Sequence, residues 1–377
     1  MSTTATTATT TQTLSWTKPP ISKTEGNWAD LVTLDLSDFE KAGGKQKLAA
    51  EFTRAIEEVG FFYVKNYGLT DVQVERQFAI GQALLSLPEP EKLRYRANME
   101  AGEYNGYKPA GTRELVPGVR DNYELYNVPK FTAAHAGMAH PDLLKEYWDE
   151  VEQFSRHVHE VIVCRLLVVF ALALGLEGED EEWFVKRHRY EAESACHLRY
   201  MKYLVRSKEE NEKCGGVWLK GHSDLGSLTL LFYQPIGGLQ VLAKDGSWKD
   251  VRMVPGTLTV NLADALHFLT NGYLKSSIHR VVAPPSDQQH VERLRLIYVV
   301  RIEDDTDMVP IETSPVLREK GLLGNKVLSE DGRPIKAGDW VKQRVIKNIG
   351  PGTSTAEGDN ADKEVEIVKG VKVKYFD

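Results

Sequence analysis

The chain has 377 residues, 42% hydrophobic and 27% charged, proportions that fit a globular protein and exclude a collagenous or low-complexity one. A formal charge of −7 argues against a nucleic-acid partner, which would call for a basic face. Cys164, Cys196 and Cys214, none in a Cys-x-x-Cys pair, make no disulfide framework and point to a reducing, cytoplasmic setting.

Residues 1–27 open on a Thr/Ala-rich stretch with no basic start and no apolar run, so a disordered tail is expected rather than a secretory or transit signal. The region 28–190 mixes strand and helix patterns. A short strand is expected at 31–36 and a helix at about 44–59, where Leu48, Phe52, Ile56 and Val59 recur at helical spacing. A strand at 61–65 follows, then a helix at 71–85 closed before Pro88. Residues 101–131, rich in Gly, Pro, Tyr and Asn, read as an extended crossing segment. The longest helix is expected from Pro141-Asp142 to about Gly175, with Leu144, Trp148, Val151, Phe154, Val158, Ile162 and Leu166 as a core-facing stripe. Its apolar run at 161–176 contains Arg165 and is too short for a bilayer span, so no membrane partner is expected. On such a helix His157 and His159 point about 200° apart and cannot share a metal. His188, between Arg187 and Arg189, reads as a surface residue.

From Ala195 the period shortens. Strands are expected at 198–204, 217–221, 227–232, 238–242, 257–262, 278–283 and 293–300, separated by Gly, Pro and Asn turn signals. This pattern suits a mainly β fold with flanking helices, a double-stranded β-helix or jelly roll, with its core at 191–305. Residues 306–377 read as a C-terminal extension, with a polar loop at 350–362 and an alternating edge strand at 365–375.

Within the β region stands His222-Ser223-Asp224. On a strand, His222 and Asp224 share one face. After 54 intervening residues comes His279, in the strand-like run 277–282. Two neutral imidazoles and one carboxylate are the set that holds ferrous iron with positions left open. Arg293 opens another apolar run, and a guanidinium fork grips a carboxylate in a way a lysine does not. Tyr203, in the strand at 198–204, places a phenol for the same anion. His267, which has Asp264 nearby, and His290, in a polar loop, compete as metal ligands, but strand context favours His279. Cys196 and Cys214 read as bystanders.

These residues resemble those of the iron(II)- and 2-oxoglutarate-dependent oxygenases of the isopenicillin N synthase-like group, which includes plant gibberellin and flavonoid oxidases and many fungal secondary-metabolism enzymes. The likeness covers about residues 28–305. It rests on His222-Ser223-Asp224, on Asn271-Gly272-Tyr273-Leu274-Lys275-Ser276 leading into His279-Arg280-Val281, and on Gly237-Gly238-Leu239-Gln240-Val241. It also rests on Arg293 and on the entry Glu57-Glu58-Val59-Gly60-Phe61-Phe62-Tyr63-Val64-Lys65-Asn66. The resemblance implies Fe(II) on His222, Asp224 and His279, 2-oxoglutarate on Arg293 and Tyr203, and O2 as oxidant. A C–H bond of a small organic substrate would be hydroxylated, desaturated or used for ring closure, in specialised metabolism. The carboxylate of Asp224 speaks against the related halogenases, which have a small residue there.

Two departures stand out. The group usually has Arg-x-Ser where this chain has Arg293-Leu294-Arg295, and often Asn-x-Tyr where it has Met201-Lys202-Tyr203. Arg295 shares the strand face of Arg293. Either it lies near an exposed strand end and reaches solvent, or it helps bind oxoglutarate or a substrate carboxylate. The segments 104–107 and 122–127 are polar-aromatic candidates for the pocket wall. Two other readings compete. One is an oxidase of the isopenicillin N synthase or aminocyclopropane-carboxylate oxidase type, which uses the same triad without oxoglutarate. The other is a non-catalytic jelly-roll binding protein.

Overall fold

The computed structural model describes residues 14–324, 328, 332–349, 363–368 and 371–375. Six strands come from the N-terminal part: β1 (Thr33–Asp35), β2 (Phe61–Lys65), β3 (Gly106–Lys108), β4 (Glu114–Val116), β5 (Val119–Arg120) and β6 (Tyr123–Pro129). Eight follow in the centre: β7 (His197–Tyr203), β8 (Val217–His222), β9 (Leu228–Phe232), β10 (Leu239–Leu242), β11 (Trp248–Asp250), β12 (Thr257–Leu262), β13 (His279–Val282) and β14 (Arg293–Val300). β15 (Lys363–Val368) and β16 (Val371–Tyr375) form a terminal hairpin where one edge strand was expected.

An eight-stranded sheet, in the order β1-β2-β12-β9-β14-β7-β6-β3, faces a four-stranded sheet, β11-β10-β13-β8. This is the jelly roll. Alternation along β14 shows how the layers arise. Leu294, Leu296, Tyr298 and Val300 join the outer core under the helices, while Ile297 and Val299 join the inner cluster between the sheets. That inner cluster takes Phe61, Tyr123, Met201, Tyr203 and Leu231 from the large sheet and Trp218, Leu239, Val241 and Val281 from the small one. Both faces of β14 are covered, which explains its almost unbroken apolar run.

The helices lie on the outer face. Gly44–Glu58 packs through Leu48, Phe52 and Ile56, and Phe52 stacks on Phe170 of the helix Cys164–Ala173 at 4.0 Å. The helix Asp71–Leu85 begins where expected because Thr70 and Gln73 form a capping box. The N-terminal part is not a separate layer, since β1, β2, β3 and β6 belong to the large sheet.

Several expectations are corrected. Residues 14–27 are not a disordered tail: Trp16 stacks on Phe78 at 4.3 Å, Lys18 pairs with Glu75, and Asp287 accepts from Ser22 and from the Lys23 backbone. Two buried-type side chains, Leu14 and Trp16, outweigh the Thr/Ala-rich composition around them. Residues 1–13 and the loop at 350–362 lie outside the described residues. The crossing segment contains a full sheet strand, β6, fully buried along its length. The long helix is divided into Asp142–Glu146, Trp148–His157, a π-helical turn at Val158–Val163, and Cys164–Ala173. The π turn resets the helical register. It buries His159, whose Nε2–H donates to the His188 carbonyl at 2.6 Å while Nδ1 accepts from the Tyr298 hydroxyl at 3.0 Å. His188 is only 1% exposed: its Nδ1–H donates to the Phe184 carbonyl and its Nε2 accepts from Ser227 Oγ. Flanking arginines misled, because this imidazole satisfies both nitrogens internally. No helix among the described residues is long and apolar enough to cross a membrane.

Candidate metal centre and anion pocket

His222 ends β8 and His279 begins β13, and the two are direct partners in the ladder. Their rings lie 4.3 Å apart, centre to centre. The register then shifts, with Val281 facing Leu219, a bulge that re-aims the strand ends beside the site. Asp224 is not on the strand, as alternation predicts, but in the irregular segment after it, just before the bend at 225–227. Its place is set instead by the Asp264 N–H to its carbonyl at 2.9 Å, by Asn261 Nδ2 to its Oδ2 at 2.9 Å, and by the Thr229 side chain. Asp224 Oδ1 then lies 3.7 Å from His222 Nε2 and 3.8 Å from His279 Nε2. The three ligand atoms fall within 4.8 Å of one another.

The protons are arranged for metal binding. His222 Nδ1–H donates to the Lys220 carbonyl at 2.9 Å, and His279 Nδ1–H to the Ser277 carbonyl at 3.0 Å. Each bond fixes the tautomer that leaves an Nε2 lone pair aimed at the centre. Burial, foremost, and the adjacent His279 push the His222 pKa down to about 4. For Asp224 burial pushes upward, but His279, His222 and the bonds from Thr229 and Asn261 outweigh it and hold the carboxyl well below its usual range. Two imidazole Nε2 lone pairs and one carboxylate oxygen converge, a donor set that fits a divalent transition metal. Phe61 packs edge-on against His279 at 5.4 Å. The bare Gly60 before it, at φ 69°, lets the Ser277 segment approach, since a β-carbon there would stand 2.4 Å from Ser277 Oγ.

Deeper between the sheets, Arg293 of β14 faces Tyr203 of β7, and Tyr203 faces Tyr123 of β6. Arg293 is 0% exposed, yet none of its three side-chain nitrogens has a partner, and neither does the Tyr203 hydroxyl. Burial first, then the charge of Arg295, drives the Arg293 pKa far down. Arg295 does not reach solvent. It is 5% exposed, its guanidinium lies 5.2 Å from the Tyr203 ring centre, and its Nε and Nη2 are unpartnered. Solvent is denied because β7 and β6 continue alongside and Trp218 stacks on Tyr203 at 5.8 Å. Unpaired buried guanidiniums are costly, so this pocket fits a carboxylate ligand.

His267 is exposed on the helix Asp264–Leu269, where its Nδ1 accepts from the Ser276 N–H, and His290 is exposed in its loop. Neither joins the cluster. Alternation splits the polar-aromatic segment: Tyr123 and Leu125 face the interior, whereas Tyr126 lies in the outer core and bonds His140. Sequence reasoning missed Asn261, His197, Arg199 and Arg301. The last three were open to it, since each follows the strand parity of Tyr203 or Arg293.

Two family models match the chain. Residues 31–148 match the N-terminal model of the non-haem dioxygenases in morphine synthesis, and residues 192–304 match that of the 2OG-Fe(II) oxygenase superfamily. The UPF0676 protein C1494.01 of Schizosaccharomyces pombe is 29% identical over 335 residues, covering 84% of this chain and 92% of that protein. Leucoanthocyanidin dioxygenase 1 of Oryza sativa subsp. japonica is 27% identical over 343 residues, covering 88% and 84%. The crystal structure of full-length Neurospora crassa T7H in complex with alpha-KG superposes with a TM-score of 0.70 at 22% identity. It covers 87% of this chain and 99% of that one, a likeness of fold.

Proposed function

Because the chain belongs to the 2OG-Fe(II) oxygenase superfamily and is an Fe(II)/2-oxoglutarate-dependent oxygenase, we propose that His222, Asp224 and His279 hold the iron, and that Arg293 and Tyr203 hold the far carboxylate of oxoglutarate. One observation carries this reading: two oriented imidazole lone pairs and a carboxylate oxygen converge while a fully buried guanidinium on the same interior lacks a counter-ion. When bound, ferrous iron with oxoglutarate and dioxygen supplies the oxidation of a substrate C–H bond, oxoglutarate leaving as succinate and carbon dioxide. The residues do the rest. Lys220 and Ser277 carbonyls orient the imidazoles, Asn261 leaves Asp224 Oδ1 free for the centre, and Arg293 grips a carboxylate in a fork. Phe61, Leu231, Ile297 and Val299 keep water from the interior. Arg295 adds a second guanidinium, for oxoglutarate or for an acid group of the substrate.

The substrate is a small organic molecule, as the relatives' names leucoanthocyanidin dioxygenase and naringenin 3-dioxygenase indicate for those proteins, and the setting is specialised metabolism in the cytoplasm. The reaction is hydroxylation, desaturation or oxidative ring closure. The test is a substrate screen with Fe(II) and oxoglutarate. One succinate is expected per O2 consumed, with a product that has gained an oxygen or lost two hydrogens. Oxygen use without succinate would establish the oxoglutarate-free oxidase instead, and iron binding without oxygen use a binding protein.

A further inference from the structure

The interior face of β14 remains cationic at its other end. The parity that turns Arg293, Arg295, Ile297 and Val299 inward continues to Arg301, just past the strand. Val299 pairs with Thr229, Thr229 pairs with Asn261, and both Thr229 and Asn261 bond the Asp224 carboxylate, so the triad stands level with Val299. Along the strand Arg295 is then about 13 Å to one side and Arg301 about 7 Å to the other. Arg301 is 5% exposed, with Nε and Nη1 unpartnered. Cys196 pins its backbone from both sides, accepting from the Arg301 N–H at 3.0 Å and donating to the Arg301 carbonyl at 3.2 Å. Its guanidinium packs on the loop that carries Asp224: a β-carbon on Gly226 would stand 3.3 Å from Nη1.

Arg199 of β7 pairs with Ile297, four positions back along β14, and its guanidinium turns towards Arg301 by way of His197, on which both charges act. Arg199 Nε donates to Asn127 Oδ1 at 2.8 Å and Nη2 to His197 Nε2 at 3.1 Å. Both acceptors are neutral. Asn127 spends its own donor on the Tyr104 carbonyl, and His197 is kept unprotonated by burial first, then by the charges of Arg199 and Arg301. No carboxylate among the described residues hydrogen-bonds either guanidinium. Glu303 is engaged with Arg189, and Asp304 acts on Arg301 through its charge, with no hydrogen bond between the two among the described residues. Oxoglutarate, Asp224 and Asp304 together still leave Arg293, Arg295, Arg301, the half-buried Arg199 and a divalent ion under-neutralised.

We infer that Arg301, which lies past the triad from Arg293, and the Arg199 guanidinium reaching towards it from the neighbouring strand form a second anion site that receives the carboxylate of an acidic substrate and leaves Arg295 to oxoglutarate. Tyr104, stacked on His197 at 6.4 Å, supplies an aromatic wall there. This inference rests on the proposed function and names its substrate class.

The test uses matched probes, phenylacetate and 3-phenylpropionate, each beside its primary amide, titrated calorimetrically into enzyme holding Fe(II) and oxoglutarate under nitrogen. Acids should bind at least about tenfold more tightly than amides, the worth of one charge-assisted bond. Arg301→Gln and Arg199→Gln should remove that preference and leave oxoglutarate affinity within about twofold, while Arg301→Lys retains part of it. Arg295→Ser should weaken oxoglutarate and spare the preference. Equal binding of acid and amide overturns the inference. So does a preference that survives Arg301→Gln, or one lost in Arg295→Ser instead. The same titrations on metal-free protein without oxoglutarate keep the result readable. A wild-type protein that prefers acids but binds neither iron nor oxoglutarate would refute the proposed function, not this site.

Discussion

Arg293→Leu should move two quantities in opposite directions. In the protein without oxoglutarate, Arg293 is a fully buried cation with three unpartnered nitrogens, facing only a phenol. Replacing an uncompensated buried charge with an apolar side chain is worth about 1–3 kcal/mol of stability, so the variant should melt higher than the wild type. For oxoglutarate the sign reverses. The variant loses a charge-assisted fork, about 1.5–3 kcal/mol, and strands the incoming carboxylate in a buried pocket, for a total of about 3–5 kcal/mol. That corresponds to a dissociation constant raised about a hundredfold to several thousandfold. Tyr203→Phe removes one neutral donor and should cost only about 1 kcal/mol, or roughly fivefold. Thermal unfolding with and without oxoglutarate, with anaerobic calorimetry, reads both quantities. An Arg293→Leu protein that is less stable and still binds oxoglutarate within tenfold of wild type would refute the reasoning. A larger loss in Tyr203→Phe than in Arg293→Leu would shift the anchor to Arg295.

His222→Ala, Asp224→Ala and His279→Ala should each abolish succinate formation with far-UV circular dichroism unchanged, because the two cores hold the sheets together; full activity in any one removes that residue from the triad. His267→Ala should bind iron normally. Asn261→Ala frees Asp224 Oδ2 and should weaken metal binding about 10–100-fold by metal titration, with the fold intact by far-UV circular dichroism; undiminished affinity would show that the Asp264 N–H and Thr229 position Asp224 without it. Burial, foremost, pushes the His140 and His188 pKa values down to about 4 from 6.5, so the unfolded chain takes up their protons first on acidification. Their stability contribution is therefore complete above pH 6.5 and lost as pH falls towards 4, by up to about 3 kcal/mol each. Urea unfolding at pH 7, 5.5 and 4.5 should show this slope, flattened in His140→Gln; identical midpoints across the range would contradict it.

Periodicity alone placed most of the central strands along the chain. The run Arg293–Val300 and the helix Asp71–Leu85 fall where the sequence places them, because alternation and capping are local properties. His222, Asp224, His279, Arg293 and Tyr203 were also legible, as residue types at a spacing that one chemistry explains. The rest needed the third dimension. Asp224 is aimed by bonds from Asn261 and Asp264, both over 35 positions away, rather than by strand alternation. His188 was misplaced because its flanking arginines are local, whereas its partner Ser227 is 39 residues on. For Arg295 the sequence leaves two readings open, a reach to solvent, as isolated arginines usually make, or a place in the pocket. Only the pairing of β14 with β7, and of β7 with β6, seals that strand end and encloses Arg293, Arg295 and Arg301, with Arg199 half-buried alongside. A strand records in its own residues which side chains share a face, but whether that face meets water depends on what the distant chain lays across it.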